Sequence, residues 1–292
     1  MIYTDPYAFA TVAAEQIVKG LRLSELPIKP IAIAEDRGII VQAKPIEDQG
    51  CSGMLVRLGN DFAIGYATHL QNKGFENFSI AHELGHYYLR GHVEAVIPGS
   101  TGTHVSRAGF NSPDKYEAEA DRFAAGLLMP RHLFFPALEK AGSGLVAIET
   151  LAYLCETSLH AAAIRYTQCT RDPMAIVVSR GSSIDHCFMS ESLRNLQGID
   201  WLRKREGLPR QSATYSFNQS PSNIERGLRV DATSNFQDWF GGKRQIDISE
   251  DVIGLGKYGK TLTVLYDIEL SESEDEEDEE NLIESWTPRF RA

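Results

Sequence analysis

His82, Glu83 and His86 are the residues most able to do chemistry in this 292-residue chain, in the segment Ser-Ile-Ala-His-Glu-Leu-Gly-His-Tyr from Ser79 to Tyr87. On a helix, residues four apart are neighbours one turn apart, only about 40° off alignment. Both imidazoles can therefore point at one ion. Glu83 lies about 100° further round the helix, close enough to reach a metal-held water without ligating the metal. This H-E-x-x-H spacing is how two histidines hold a divalent ion while a glutamate serves as general base. A bound zinc lowers the pKa of its water from 15.7 toward about 7, and the glutamate takes the proton. Three protein ligands are the rule for such a site, and the third must come from elsewhere.

Three residues compete for that place. His92 stands six positions beyond His86, the spacing of H-E-x-x-H-x-x-G-x-x-H enzymes, but Leu89 occupies the position those enzymes give to glycine. The segment Tyr116-Glu-Ala-Glu-Ala-Asp121 offers Glu117 and Asp121, again four apart on an expected helix. One of that pair can ligate while the other orients a histidine from behind. Glu119 falls about 200° round from Glu117 and points toward the opposite face. The pattern favours Glu117, with His92 and Glu119 as rivals.

These residues need elements to hold them. Apolar periodicity predicts helices over 6–20, about 78–90, about 113–129 (ended by Pro130), 131–141, 147–156 and 158–168. Residues 30–43 read as a short helix, a stop at Gly38 and a strand. Residues 53–58 and 61–67 read as a hairpin around Gly59-Asn60. The Gly-, Ser-, Thr- and Pro-rich stretch 97–113 is expected to be a loop. Beyond Asp172-Pro173 the texture changes to strand candidates, 174–179 and 261–270 among them, separated by turns.

Composition narrows the class. Hydrophobic residues make up 42% and charged residues 24%, ordinary values for a chain that buries a core. No apolar run approaches the roughly 20 residues of a membrane span, and the N-terminus lacks the pattern of a secretory signal. Four scattered cysteines with no C-x-x-C pair fit free thiols in a reducing compartment. A cytoplasmic protein is expected. Of the net charge of −11, eight acidic residues sit in 271–280, leaving −3 for the rest. The acidic run is expected to be a disordered tail. The remainder carries no basic face of the kind nucleic acid requires.

The stretch AHELGHYYLRGH, followed some thirty residues later by EAEADRFAAGLLMP, resembles the ImmA/IrrE metallopeptidases. That family joins a helical H-E-x-x-H to an E-x-x-A-D/N-x-F-A-x-x-L-L-M-P helix, and the resemblance spans roughly residues 5–170. It implies an α+β fold: a minimal zincin-like peptidase domain (1–130) with a helical, helix-turn-helix-like part (131–172). By matching position it makes His82, His86 and Glu117 the ligands, Glu83 the general base and Asp121 the residue that holds a ligating histidine. Arg90 departs from the family, where a histidine often follows the leucine, but it lies outside the ligand set. The implied cofactor is zinc, although two histidines and a carboxylate also accept manganese or iron. Relatives of this kind are associated with cutting helix-turn-helix repressors of mobile elements or stress genes, so a repressor is the expected protein substrate.

The remaining features are less specific. Residues 149–166 resemble a helix-turn-helix, with Leu151, Ala152 and Leu154 expected inside the first helix. Only Arg165 and Arg171 are there to meet phosphates, so a helical subdomain packed on the peptidase is expected rather than DNA binding. Residues 173–270 are expected to form an α+β module, a sensor-like, GAF-type or dimerisation domain, ahead of the tail at 271–292. Trp201, Arg203, Lys204 and Arg205 are expected on a solvated helix face, the pair His186-Cys187 in a packed strand, and Trp239-Phe240 as core anchors before a turn. Cys51, near the presumed site, is read as a small buried residue, with restraint of the metal as the functional alternative. The rival to an endopeptidase is a non-catalytic regulator that binds a partner or DNA through its helical and C-terminal parts. An intact Glu83 argues against it.

Overall fold

Two differently built parts make up the chain, one ending at Thr170 and the other beginning at Arg171. The structure, a computed structural model, describes residues 7–44, 51–69, 72–107 and 114–269, apart from the side chains of Cys51 and Arg107. The acidic run and the side chain of Cys51 thus lie outside the described residues.

The N-terminal unit opens with α1 (Ala8–Gly20) and α2 (Pro30–Asp36). Pro30 starts α2, where its missing N–H costs nothing. Three strands follow: β1 (Ile40–Lys44), β2 (Cys51–Leu58) and β3 (Asp61–Ala67). The two-residue turn Gly59-Asn60 joins β2 to β3, and Gly59 takes the positive φ of 66° that such turns favour in glycine. Next come α3 (Lys73–Tyr88), α4 (His92–Val96) and β4 (Thr101–Arg107). Four helices complete the unit: α5 (Lys115–Leu128), α6 (Arg131–Ala141), α7 (Gly144–Cys155) and α8 (Leu159–Cys169). The sheet order is β1-β3-β2-β4, with β1 parallel to β3 and the other pairs antiparallel.

Helix α3 is the centre of this unit. It packs against β2 and β3 on one side and α5 on another, while α1 covers α5. Its last turns are therefore buried nearly all the way round, from Ser79 to His86. Ile80 and Leu84 on α3 are fully buried, as are Leu55 on β2 and Phe123 and Leu127 on α5. The close approach of α3 to α5 depends on Gly85. A Cβ there would stand 3.1 Å from the Ala120 Cα and 3.2 Å from the Phe123 Cβ.

Several expectations change. Helix α3 begins at Lys73, not near 78, because the Asn72 side chain accepts a hydrogen bond from the Phe75 N–H and caps it. The stretch 97–113, expected as a loop, contains β4. Its polar alternation conceals an edge strand whose pairing with β2, not apolar content, holds it. In α7, Leu151 is buried but Leu154 is exposed, and Cys155 takes the inward place one residue further on. Arg165 in α8 is buried: its Nε donates to the Met129 carbonyl and its Nη2 to Glu15.

The C-terminal unit is an antiparallel sheet of β5 (Ala175–Arg180), β6 (Ser183–Met189), β7 (Arg229–Asn235), β8 (Asp247–Gly254) and β9 (Thr261–Tyr266), ordered β6-β5-β9-β8-β7. Short helices α9 (Glu191–Arg194), α10 (Ala213–Asn218), α11 (Pro221–Glu225) and α12 (Phe236–Phe240) connect them. His186 and Cys187 lie in β6, and Trp239 and Phe240 are buried anchors just before the turn at Gly241. Residues 201–205 are not helical; Trp201 sits half-exposed in a connecting segment.

Filling the gap between α3 and α5 tests the packing. Gly85→Val should destabilise the N-terminal unit by about 1–3 kcal/mol through overpacking, read as a lower midpoint in denaturant titration. An unchanged midpoint would show that the two helices are free to separate.

Candidate metal centre

Helix α3 turns His82 and His86 inward toward the first turn of α5, where Glu117 waits. Asp114 caps α5 by accepting from the Tyr116 N–H, which sets where that turn begins. A carboxylate there is also favoured by the positive end of the helix dipole. The His82 and His86 Nε2 atoms are 3.1 Å apart. Glu117 Oε2 lies 3.3 Å from His82 Nε2, and Oε1 lies 3.4 Å from His86 Nε2. Donor atoms arranged tetrahedrally at about 2.0–2.1 Å from a zinc ion stand about 3.3–3.4 Å from one another. The three donors thus have the spacing and chemistry of a metal site, and together they form the one such group among the described residues.

Supporting residues stand behind the donors. His82 Nδ1 is 2.9 Å from Asp121 Oδ1, so the Asp121 carboxylate accepts its proton and turns Nε2 toward the triad. His92 is no part of the triad: its Nδ1 lies 3.3 Å from the Nδ1 of His86, on the far side of that ring, and its Nε2 faces Glu119. Glu119 is correspondingly turned away from the donors. His104, on β4, escaped the sequence reading. Its Nε2 donates to Glu117 Oε1 at 2.9 Å. The signal was the period-two alternation of Thr101–Arg107, which puts His104 and Ser106 on one face of a strand.

Glu83 is fully buried near His82. Both of its carboxylate oxygens are buried without a hydrogen-bond partner among the described residues. Leaving such a group unsatisfied is expensive. Ser106 lies beside it, and Gly53 on β2 makes room for it: a Cβ at Gly53 would stand 2.6 Å from Glu83 Oε1.

The electrostatics of the metal-free protein follow from this crowding. Burial drives the Glu83 pKa up, against the pull of nearby His82. Burial alone would lower His82, but hydrogen bonds to Asp121 and Glu117 outweigh it and raise its pKa to about 10. His86 is lowered to about 4, chiefly by burial, with hydrogen bonding to Glu117 insufficient to compensate. Glu117 resists burial chiefly through bonds from His104 and His82 and stays ionised far below the usual carboxylate range. A protonated His82 therefore supplies the positive charge that this carboxylate-rich site requires.

The fold and the donor set define a metallopeptidase-like domain of the zincin kind. Residues 34–167, most of the N-terminal unit, match the IrrE N-terminal-like domain, a peptidase family. A solved Mycobacterium tuberculosis transcriptional regulator shares the fold with a TM-score of 0.58 at 15% identity, over 89% of this chain and 76% of that one. No curated protein matches the chain.

Metal uptake should expel a proton. At pH 7 a His82 with a pKa of about 10 is charged, whereas His86 at about 4 is already neutral. Because the free site holds that proton tightly, affinity for zinc should rise about tenfold per pH unit from neutrality and level off near pH 10. Calorimetry of zinc binding in two buffers of different ionisation enthalpy should show about one proton released per ion at pH 7. Release of none would contradict the His82 assignment.

Proposed function

We propose that this chain is a zinc-dependent endopeptidase of the cytoplasm that cleaves a helix-turn-helix transcriptional repressor. The observation that carries the reading is the partnerless, buried Glu83 beside the three spaced donors. A structural metal site has no use for such a group, and structural zinc takes four protein ligands. In this reading His82, His86 and Glu117 hold the ion, and manganese or iron would fit the same donors. When bound, the metal supplies Lewis acidity, polarising the scissile carbonyl and acidifying water. Glu83 accepts the proton of the attacking water and hands it to the departing amine. Its raised pKa suits both halves of that exchange. Gly53 keeps the carboxylate in place by leaving it room.

The repressor substrate rests on the family resemblance, and a role in transcription is further supported by the name of the mycobacterial structure. A cytoplasmic setting is consistent with the absence, among the described residues, of any helix long and apolar enough to cross a membrane. Residues 173–270 would then sense a signal or pair with a second copy. The rival is a regulator that keeps the fold without the chemistry. Direct reading of DNA by α7 and α8 is disfavoured, because Arg165 is committed to Glu15 and the Met129 carbonyl.

Glu83→Gln decides between enzyme and regulator. It should abolish cleavage of a repressor substrate, by roughly a thousandfold or more, while the metal content stays at the wild-type level. Gly53→Ala should lower kcat with the metal likewise retained. Regulation that persists unchanged in Glu83→Gln would favour the non-catalytic reading.

A further inference from the structure

His92 and Glu119 are buried beside the donors without a role in the reaction. His92, the first residue of α4, is 1% exposed, and Glu119, on α5, is 3% exposed. Burying polar groups this deep costs free energy that hydrogen bonds to them offset. His92 Nε2 lies 2.8 Å from Glu119 Oε2, and His92 Nδ1 lies 3.3 Å from His86 Nδ1. The charge on Glu119 faces Lys115, whose Nζ is 3.6 Å from Oε1.

Counting protons fixes the direction of this chain. An ionised carboxylate can only accept, so His92 Nε2–H donates to Glu119. In a neutral His92 that leaves Nδ1 as an acceptor. The His86 Nδ1–H then donates to it, which leaves the lone pair of His86 Nε2 facing Glu117 and His82. The opposite tautomer of His86 would put a proton on Nε2 and close the site to metal.

We propose that His92 and Glu119 are positioning residues for the metal centre, fixing the tautomer and ring plane of His86 as Asp121 does those of His82. The inference rests on reading His82, His86 and Glu117 as the ligands. It explains why the two histidines, though four residues apart on one helix, need different supports. Asp121 lies on α5 within reach of His82 Nδ1, whereas Glu119 reaches His86 only through the His92 ring.

Zinc affinity of the metal-free, full-length protein tests it, measured by competition with a chromophoric chelator for the wild type, His92→Phe, Glu119→Ala and Glu119→Gln. Thermal midpoints of the metal-free forms and the visible spectra of the cobalt-loaded forms complete the set. Affinity should fall roughly ten- to a hundredfold in His92→Phe and Glu119→Ala, with altered cobalt bands. Glu119→Gln, whose amide oxygen still accepts from His92, should recover much of the loss. Should His92→Phe fail to fold, the contrast between Glu119→Gln and Glu119→Ala carries the same decision. Wild-type affinity and spectra in the variants, with only the metal-free midpoint lowered, would make the pair a packing device and overturn the proposal. A wild-type protein that binds no zinc would instead overturn the ligand reading, and this inference with it.

Discussion

Crowding two buried imidazoles and a partly buried carboxylate within 3.4 Å of one another is the constraint on which the N-terminal unit depends. Two imidazoles and a carboxylate so placed cannot all keep their ordinary protonation, and in the metal-free protein a proton on His82 relieves them. Each donor is therefore tethered from outside: His82 by Asp121, His86 by His92, and Glu117 by His104. Those tethers come from α4, β4 and α5, so the short elements around α3 have a common purpose. Removing one outer partner leaves a buried polar group unsatisfied, which costs more than the bond itself contributes.

The surrounding packing serves the same end. Helix α3 is buried on nearly every side over its last turns, so neither histidine can swing to solvent. Gly85 lets α5 come close enough for Glu117 to meet both rings, and Gly53 leaves β2 clear of the Glu83 carboxylate. Arg165 ties α8 to the end of α5 and to α1, which draws the three C-terminal helices of the unit into the same scaffold. The C-terminal unit uses a comparable device away from any donor cluster. There the buried Glu250 accepts from the N–H and hydroxyl of Thr214 and anchors α10 to β8.

Much of the site was legible because it obeys simple periodicities. The four-residue spacing of His82 and His86, the same spacing of Glu117 and Asp121, and the turn at Gly59-Asn60 each dictate a local geometry that tertiary contacts do not alter. What escaped were features set by partners distant in sequence. Strand β4 has little apolar content of its own, and its identity comes from pairing with β2, so His104 stayed hidden in an apparent loop. His92 was legible as a metal rival by spacing, but only the fold shows its ring behind His86. Leu154 illustrates the limit of helical phase: a shift of one residue near the end of α7 exchanges it with Cys155.

The central claim is that His82, His86 and Glu117 hold a catalytic metal, and elemental analysis of purified protein tests it most directly. The wild type should contain about one divalent ion per chain, and Glu117→Ala should lose it while His104→Ala retains most of it. Metal retained in full by Glu117→Ala, or a wild type that stays empty after reconstitution with zinc, manganese or iron, would contradict the account.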